Sequence, residues 1–251
     1  MQVLVTGGTG FVGNNVVRML LDNGHEVRVL VRDANPQRCF DGLDVELIEG
    51  DICDYESIVF ACEGVDAVIH SAAMVHIGWS QLQRQREVNV GGTINLAKAA
   101  LSKDIRMVYV SSVDALGIGS EEQPADEESP RIGKIPCSYV VSKSEAEQEL
   151  KKFIDDGLDA VIVNPGFMLG PNDWKPSSGK MLLEVAAKNP PIAPSGGMTI
   201  CHIDDVAAGI VTALEKGVAG RNYILGGTRM SYLDVWSLFA DVAGNKPPKR
   251  K

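Results

Sequence analysis

The chain is poor in the features that mark secreted, membrane-spanning or nucleic-acid-binding proteins. No apolar run approaches the roughly 20 residues that a membrane span needs, and residues 1–20 lack the order of regions of a secretory signal. Cysteine is sparse: Cys39, Cys53, Cys62, Cys137 and Cys201 are odd in number and scattered. They show no metal-ligand spacing, so no metal site is expected and they read as free thiols of a cytoplasmic protein. Positive charge is in deficit, with 24 Lys+Arg against 33 Asp+Glu and a net charge of −9. That balance argues against a general nucleic-acid partner. No repeat or low-complexity tract occurs. What is present is ordinary for a globular protein: 45% hydrophobic and 23% charged residues in a 251-residue chain. That length accommodates one large domain, or one domain with a smaller satellite.

The most informative segment stands at the start, Val3-Leu4-Val5-Thr6-Gly7-Gly8-Thr9-Gly10-Phe11-Val12-Gly13. An apolar strand runs directly into a glycine-studded turn, and a helical pattern ended by Gly24 follows. Glycine permits the tight turn, the close approach of backbone to a pyrophosphate, and close strand–helix packing. The helix N-terminus adds unpaired N–H groups and the positive end of its dipole. Dinucleotide binding through Gly7 and Gly10 is the expectation; a ligand-free strand–helix turn is the bland alternative.

Strand-like runs at Val3–Thr6, Val27–Val31, Val45–Ile48, Ala67–Ile69, Met107–Val110 and Ala160–Val163 alternate with amphipathic stretches such as Val90–Leu101 and Ser142–Ile154. Strands apolar on both faces and alternating with helices predict an α/β protein, a doubly wound parallel sheet. Beyond Val163 prolines cluster and helices shorten, which predicts a smaller C-terminal substrate-binding region over 165–251 after a dinucleotide-binding domain over 1–164. Residues 117–136 form a long acidic loop, read either as a solvated connection or as an active-site lid.

The residue that selects the dinucleotide belongs at the end of the second strand. Arg32 there would pair with a 2′-phosphate and favours NADP; Asp33, one residue on, would favour NAD. Asp51 and Ile52, after the third strand, are placed to meet adenine, although Asp51 equally suits a strand-end turn with a helix cap. Tyr139 and Lys143 stand at i and i+4 on one helix face. The cation is expected to stabilise a phenolate and draw the tyrosine pKa down toward working pH. Ser111 and Ser112 lie at the end of the fifth strand, where ligands of such sheets bind, and Ser112 would hold the reacting oxygen. Asp114 reads as structural in preference to a second acid/base. Val75, His76, Ile77, Trp79 and Trp174 are candidate pocket walls.

Taken together these segments resemble the extended short-chain dehydrogenases/reductases, over essentially the whole chain. The likeness rests on the glycine loop, His70-Ser71-Ala72-Ala73, Asn89-Val90-Gly91-Gly92-Thr93, Ser112 with Tyr139 and Lys143, and Asn164-Pro165-Gly166-Phe167. His202–Val206 and Tyr223–Gly227 are similar to the family's C-terminal landmarks. Within the family, Val31-Arg32-Asp33 and Ile224–Gly227 are most like the dihydroflavonol-reductase-like and nucleoside-diphosphate-sugar epimerase-like proteins. The resemblance implies a Rossmann-type fold and catalysis by Ser112, Tyr139 and Lys143. It also implies cofactor contacts from Gly7, Gly10, Phe11, Val12, Ala72, Ala73, Pro165 and Phe167, with Tyr139 and Lys143. Asn164 departs from the family's arginine, which puts a local salt bridge in doubt. Hydride transfer between NADP or NAD and a hydroxyl or carbonyl carbon of a small molecule is the implied activity. A nucleotide-sugar epimerase or dehydratase is the alternative, and a dinucleotide-sensing protein without turnover the third reading. A homodimer is left open. Such proteins continue past Gly244–Lys251, so the C-terminal region is expected to be incomplete.

Overall fold

The computed structural model describes residues 1–33, 38–120 and 122–249. Seven strands form one parallel sheet: β1 (Gln2–Thr6), β2 (Glu26–Val31), β3 (Glu46–Glu49), β4 (Ala67–His70), β5 (Arg106–Val110), β6 (Ala160–Pro165) and β9 (Asn222–Leu225). Their spatial order is β3-β2-β1-β4-β5-β6-β9. The chain moves outward from β1 to β3, returns to β4 beside β1, and then builds the other half. That reversal opens a crevice at the carboxyl ends of β1 and β4, the place where open α/β sheets take ligands.

Alternation along each strand feeds two cores. Val3, Val5, Val108 and Val110 face one side, where α1 (Phe11–Asp22) and α7 (Ile203–Lys216) pack with Val16, Val17, Leu20, Val206 and Ile210. Leu4, Met107 and Tyr109 face the other, beneath α2 (Tyr55–Ala61), α4 (Gly92–Lys103) and α5 (Ser138–Asp155) with Ile58, Leu96, Ala146 and Leu150. A strand residue of either parity is thus removed from water, as a doubly covered parallel sheet requires.

A three-stranded sheet, β10-β8-β7, stands beside this unit, made of β7 (Phe167–Leu169), β8 (Gly197–His202) and β10 (Thr228–Ser231). It packs with α6 (Gly179–Lys188) and α8 (Tyr232–Val242) around Val185, Val235 and Phe239. Two elements from beyond residue 165, α7 and β9, belong to the large sheet unit, with Val163 in register with Tyr223. The chain therefore crosses between the two parts more than once. The four strands after β6 escape the sequence pattern because they are mostly only partly buried and show little apolar alternation.

Candidate active site

The glycine turn follows β1 directly. Gly7 has a φ of +75°, and a Cβ there would stand 2.6 Å from the Ala72 amide nitrogen. A Cβ on Gly13 would meet Ser71 Oγ at 2.6 Å and also the Gly7 carbonyl. Side chains at these positions would force the turn away from β4 and fill the surface on which a pyrophosphate rests. Gly10 precedes α1 with no side-chain cap, leaving the first-turn N–H groups for an anion. The cradle therefore fits a dinucleotide. Phe11 and Val12 open α1, Phe11 buried and Val12 partly so.

Other expected cofactor residues surround this turn. Arg32 and Asp33 are exposed just past the end of β2. Asp51 Oδ1 accepts a hydrogen bond from the Cys53 amide at 2.9 Å in a strand-end turn, whereas the cap of α2 is Asp54. Ile52 is buried against the α4 glycine Gly92, so most of its side chain serves the core. Ala72 and Ala73 are partly exposed after β4, Pro165 closes β6, and Phe167 begins β7. Trp174 lies over the glycine-loop side, its indole N–H reaching Asn14 of α1 at 3.4 Å.

Ser112, Tyr139 and Lys143 come together at the carboxyl end of β5. Ser112 caps a short 3₁₀ turn, Val113–Ala115, its Oγ accepting the Asp114 amide at 3.1 Å. The same hydroxyl lies near enough to the Tyr139 phenol to act on its acidity. Packing pushes the Tyr139 phenol above its ordinary range; the Asp114 carboxylate adds to the rise and the nearby Ser112 hydroxyl opposes it. Lys143 Nζ donates to the Val110 carbonyl at 2.9 Å and stands 3.5 Å from the Tyr109 hydroxyl. Burial lowers its pKa to about 8, and Glu147 partly opposes the fall. The expected lowering of the Tyr139 pKa is thus not what this arrangement produces, because the ammonium is turned inward to β5.

Two polar networks support the site and were not evident from residue spacing. In the first, Thr6 Oγ1 meets His70 Nδ1 at 2.7 Å, and His70 Nε2 meets Thr93 Oγ1 at 3.2 Å. Desolvation, with the Lys143 charge adding to it, holds this imidazole neutral, its pKa pushed down to about 3. A π turn at Arg86–Gly91 carries Asn89, which clamps Met74 through both backbone groups (2.7 and 3.0 Å) and donates to Ser142 Oγ at 3.0 Å. In the second, buried Glu147 on α5 accepts from Asn164 at 2.7 Å and pairs with Arg131 at 2.5 Å. Asn164 itself makes only an amide contact to this carboxylate, whose ion pair comes from Arg131, elsewhere in the chain. One signal was readable: Tyr139, Lys143 and Glu147 are spaced i, i+4, i+8, so the charge at 147 shares the buried face.

The 117–136 loop is fastened at several points. Ile118 N bonds Ile132 O at 3.0 Å, Glu127 Oε1 accepts the Ile224 amide at 2.8 Å, and Lys134 pairs with Asp114 at 3.1 Å. It forms a strap over the carboxyl ends of β5, β6 and β9. The Lys134 contact agrees with a structural role for Asp114.

The reversed strand order and the pyrophosphate cradle define a dinucleotide-dependent α/β enzyme. The model of the NAD dependent epimerase/dehydratase family matches residues 3–226, and the chain belongs to that family. A dihydroflavonol 4-reductase-like protein of Synechocystis sp. is 36% identical over 98% of this chain and 73% of its own length. Sterol demethylase protein B of Methylococcus capsulatus is 32% identical over 99% of this chain and 76% of its own. Among solved structures, gox2253 superposes with a TM-score of 0.91 at 40% identity, covering 99% of this chain and 77% of that one. The UDP-glucose 4-epimerase of Thermus thermophilus, solved with NAD, gives 0.82 at 28% identity, covering 100% and 86%. The protein is accordingly an NAD(P)-dependent enzyme of the extended short-chain dehydrogenase/reductase type.

Proposed function

We propose that the protein is a cytoplasmic reductase or dehydrogenase, preferring NADP to NAD, that interconverts a hydroxyl and a carbonyl on an apolar small molecule. Ser112, Tyr139 and Lys143 are the catalytic residues of this reading. The carrying observation is the convergence of Ser112, just past β5, with Tyr139 and Lys143 of α5, beside an exposed apolar wall of Val75, Ile77 and Trp79. The wall is fixed to the start of α5, since Ser138 N donates to the Gly78 carbonyl at 2.8 Å and Ser138 Oγ to that of His76 at 3.2 Å. Residues 1–164 supply most of the cofactor surface, and Gly166 to Ala243 most of the substrate cleft. The unbridged thiols fit a reducing compartment.

A bound nicotinamide dinucleotide supplies or accepts the hydride. Tyr139 moves the proton at the substrate oxygen, and a phenol whose pKa is raised holds that proton at neutral pH, which suits reduction. Ser112 Oγ donates to the same oxygen and stabilises charge developing on it. Lys143 remains largely cationic at neutral pH and binds the nicotinamide-ribose hydroxyls, assisted by the loop residues Gly7, Gly10, Phe11 and Val12 at the phosphates and by Ala72, Ala73, Pro165 and Phe167 along the cofactor. Arg32 takes the 2′-phosphate; Asp51 and Ile52 border the adenine.

The epimerase or dehydratase reading draws on relatives such as the UDP-glucose 4-epimerase of Vibrio cholerae, 30% identical over 89% of this chain. A turnover screen of apolar ketones against nucleotide-sugars, with NADPH and NADH, separates the two. Net oxidation of NADPH by a ketone supports the reductase. Sugar conversion without net cofactor consumption overturns it.

A further inference from the structure

Glu147 is a buried charge that the proposed chemistry does not use. Its side chain is 1% exposed, and its two neutral partners are amides: Asn164 at 2.7 Å and Asn222 at 3.4 Å. Amides satisfy hydrogen bonds but leave the charge of a buried carboxylate uncompensated. The Arg131 guanidinium, reaching in from the strap, supplies the countercharge. The same Nη1 donates to the Ala115 carbonyl at 2.8 Å, at the far end of the turn that Ser112 begins. Asn164, held by Glu147, also donates to the Ser112 carbonyl at 3.0 Å. Arg131 therefore holds one end of the Ser112 turn directly, while Asn164, which shares Glu147 with it, holds the other. On the other side, Glu147 lies one helical turn from Lys143 and favours its ammonium form.

We propose that Arg131 is a positioning residue for this enzyme: it screens Glu147 from Lys143 and, through Glu147–Asn164 and Ala115, holds the Ser112 turn beside Tyr139. The proposal rests on the roles given above to Ser112, Tyr139 and Lys143. Lys143 is faced by the Val110 carbonyl and the Tyr109 hydroxyl of β5, by neutral His70 of β4, and by Glu147 and Tyr139 of its own helix. Asp114, paired with Lys134, acts on Tyr139 from the strap side. Glu147 is thus the anion whose unmasking would act most directly on the ammonium.

The test titrates purified wild type, Arg131→Gln, Arg131→Lys, Glu147→Gln and the double Gln variant with NADPH between pH 7 and 10. Wild-type affinity should fall as Lys143 loses its proton near pH 8. Arg131→Gln should raise that midpoint by about one pH unit, because Glu147 then acts unscreened. Glu147→Gln should lower it, the double variant should follow Glu147→Gln, and Arg131→Lys should stay near wild type. With a ketone that wild type reduces, Arg131→Gln should lose kcat about tenfold at pH 7 with the cofactor KM changed less than about threefold. Midpoints unchanged in both single variants, or an Arg131→Gln shift that persists in the Glu147→Gln background, would overturn the proposal. If Arg131→Gln does not fold, Glu147→Gln and the double variant decide, since neither leaves a buried unpaired carboxylate; differing midpoints overturn it. A wild type that binds neither dinucleotide overturns the proposed function itself, whereas a binding, active wild type with indistinguishable variants overturns only the role of Arg131.

Discussion

The large sheet unit and the small C-terminal sheet are built to different standards. Every residue of β6 is buried, whereas every residue of β7 is only partly so and half of β10 is exposed. The large unit has a continuous apolar layer on each face; the small one has Val185, Val235 and Phe239 with partly exposed neighbours. Leu183, Leu238 and Val242 of the small part lie open to solvent. A cofactor shared by many enzymes calls for a rigid, preorganised cradle, and the doubly covered sheet provides it. A thinly packed lobe costs less to reshape, which suits the substrate cleft proposed for it.

The sharpest break between the regions is chemical. Tyr139→Phe should cut turnover by about 10²–10⁴-fold while dinucleotide affinity stays within a few-fold, since one proton donor is lost from an otherwise intact cradle. Steady-state kinetics beside a fluorescence titration checks both. Substantial residual activity would remove Tyr139 from its proposed role.

Acid should attack the large unit through His70. Its folded pKa, about 3, lies below the ordinary value of 6.5, so the unfolded chain binds the proton first. The contribution is intact above about pH 6.5 and is lost as pH falls toward 3, on the order of several kcal/mol. Urea midpoints at pH 7, 5.5 and 4.5 should fall steadily, and less so in His70→Gln.

Core truncation compares the regions directly. Leu150→Ala, beneath the sheet, should lower global stability by about 2–5 kcal/mol in denaturant melts. Arg32→Ala should reduce the preference for NADPH over NADH by roughly 10–100-fold through loss of a charge-assisted contact; equal affinities in wild type would pass the choice to Asp33. The smallest effect belongs to Val235→Ala. It should open α8 locally, read as faster amide exchange in residues 232–242, while exchange in β1, β4 and β5 stays as in wild type.

Some of this is legible in the residues alone. Val3–Thr6 into Gly7–Gly13 announces a strand, a turn and an anion-binding helix end, because the glycines and the apolar run are local requirements. The i, i+4 spacing of Tyr139 and Lys143 likewise reads directly as one helix face. The strap is legible only as a choice between a free loop and a lid, since its fastenings pair residues such as Glu127 and Ile224, far apart in sequence. Spacing misjudges the Tyr139 pKa because it reports which face a lysine occupies, and not that its ammonium bonds the Val110 carbonyl.

The amino-acid sequence by itself determined the alternating α/β order, the dinucleotide cradle and the helix face that Tyr139 and Lys143 share, all of which depend on short-range periodicity and backbone freedom. Only the tertiary structure decided that α7 and β9 return to the large sheet, that His70 is held neutral between Thr6 and Thr93, and that Arg131 answers Glu147 where Asn164 cannot. The physical reason is common to the three. Each depends on which distant groups are driven together by burial, and a buried polar group takes its partner from whatever the packed chain brings within reach.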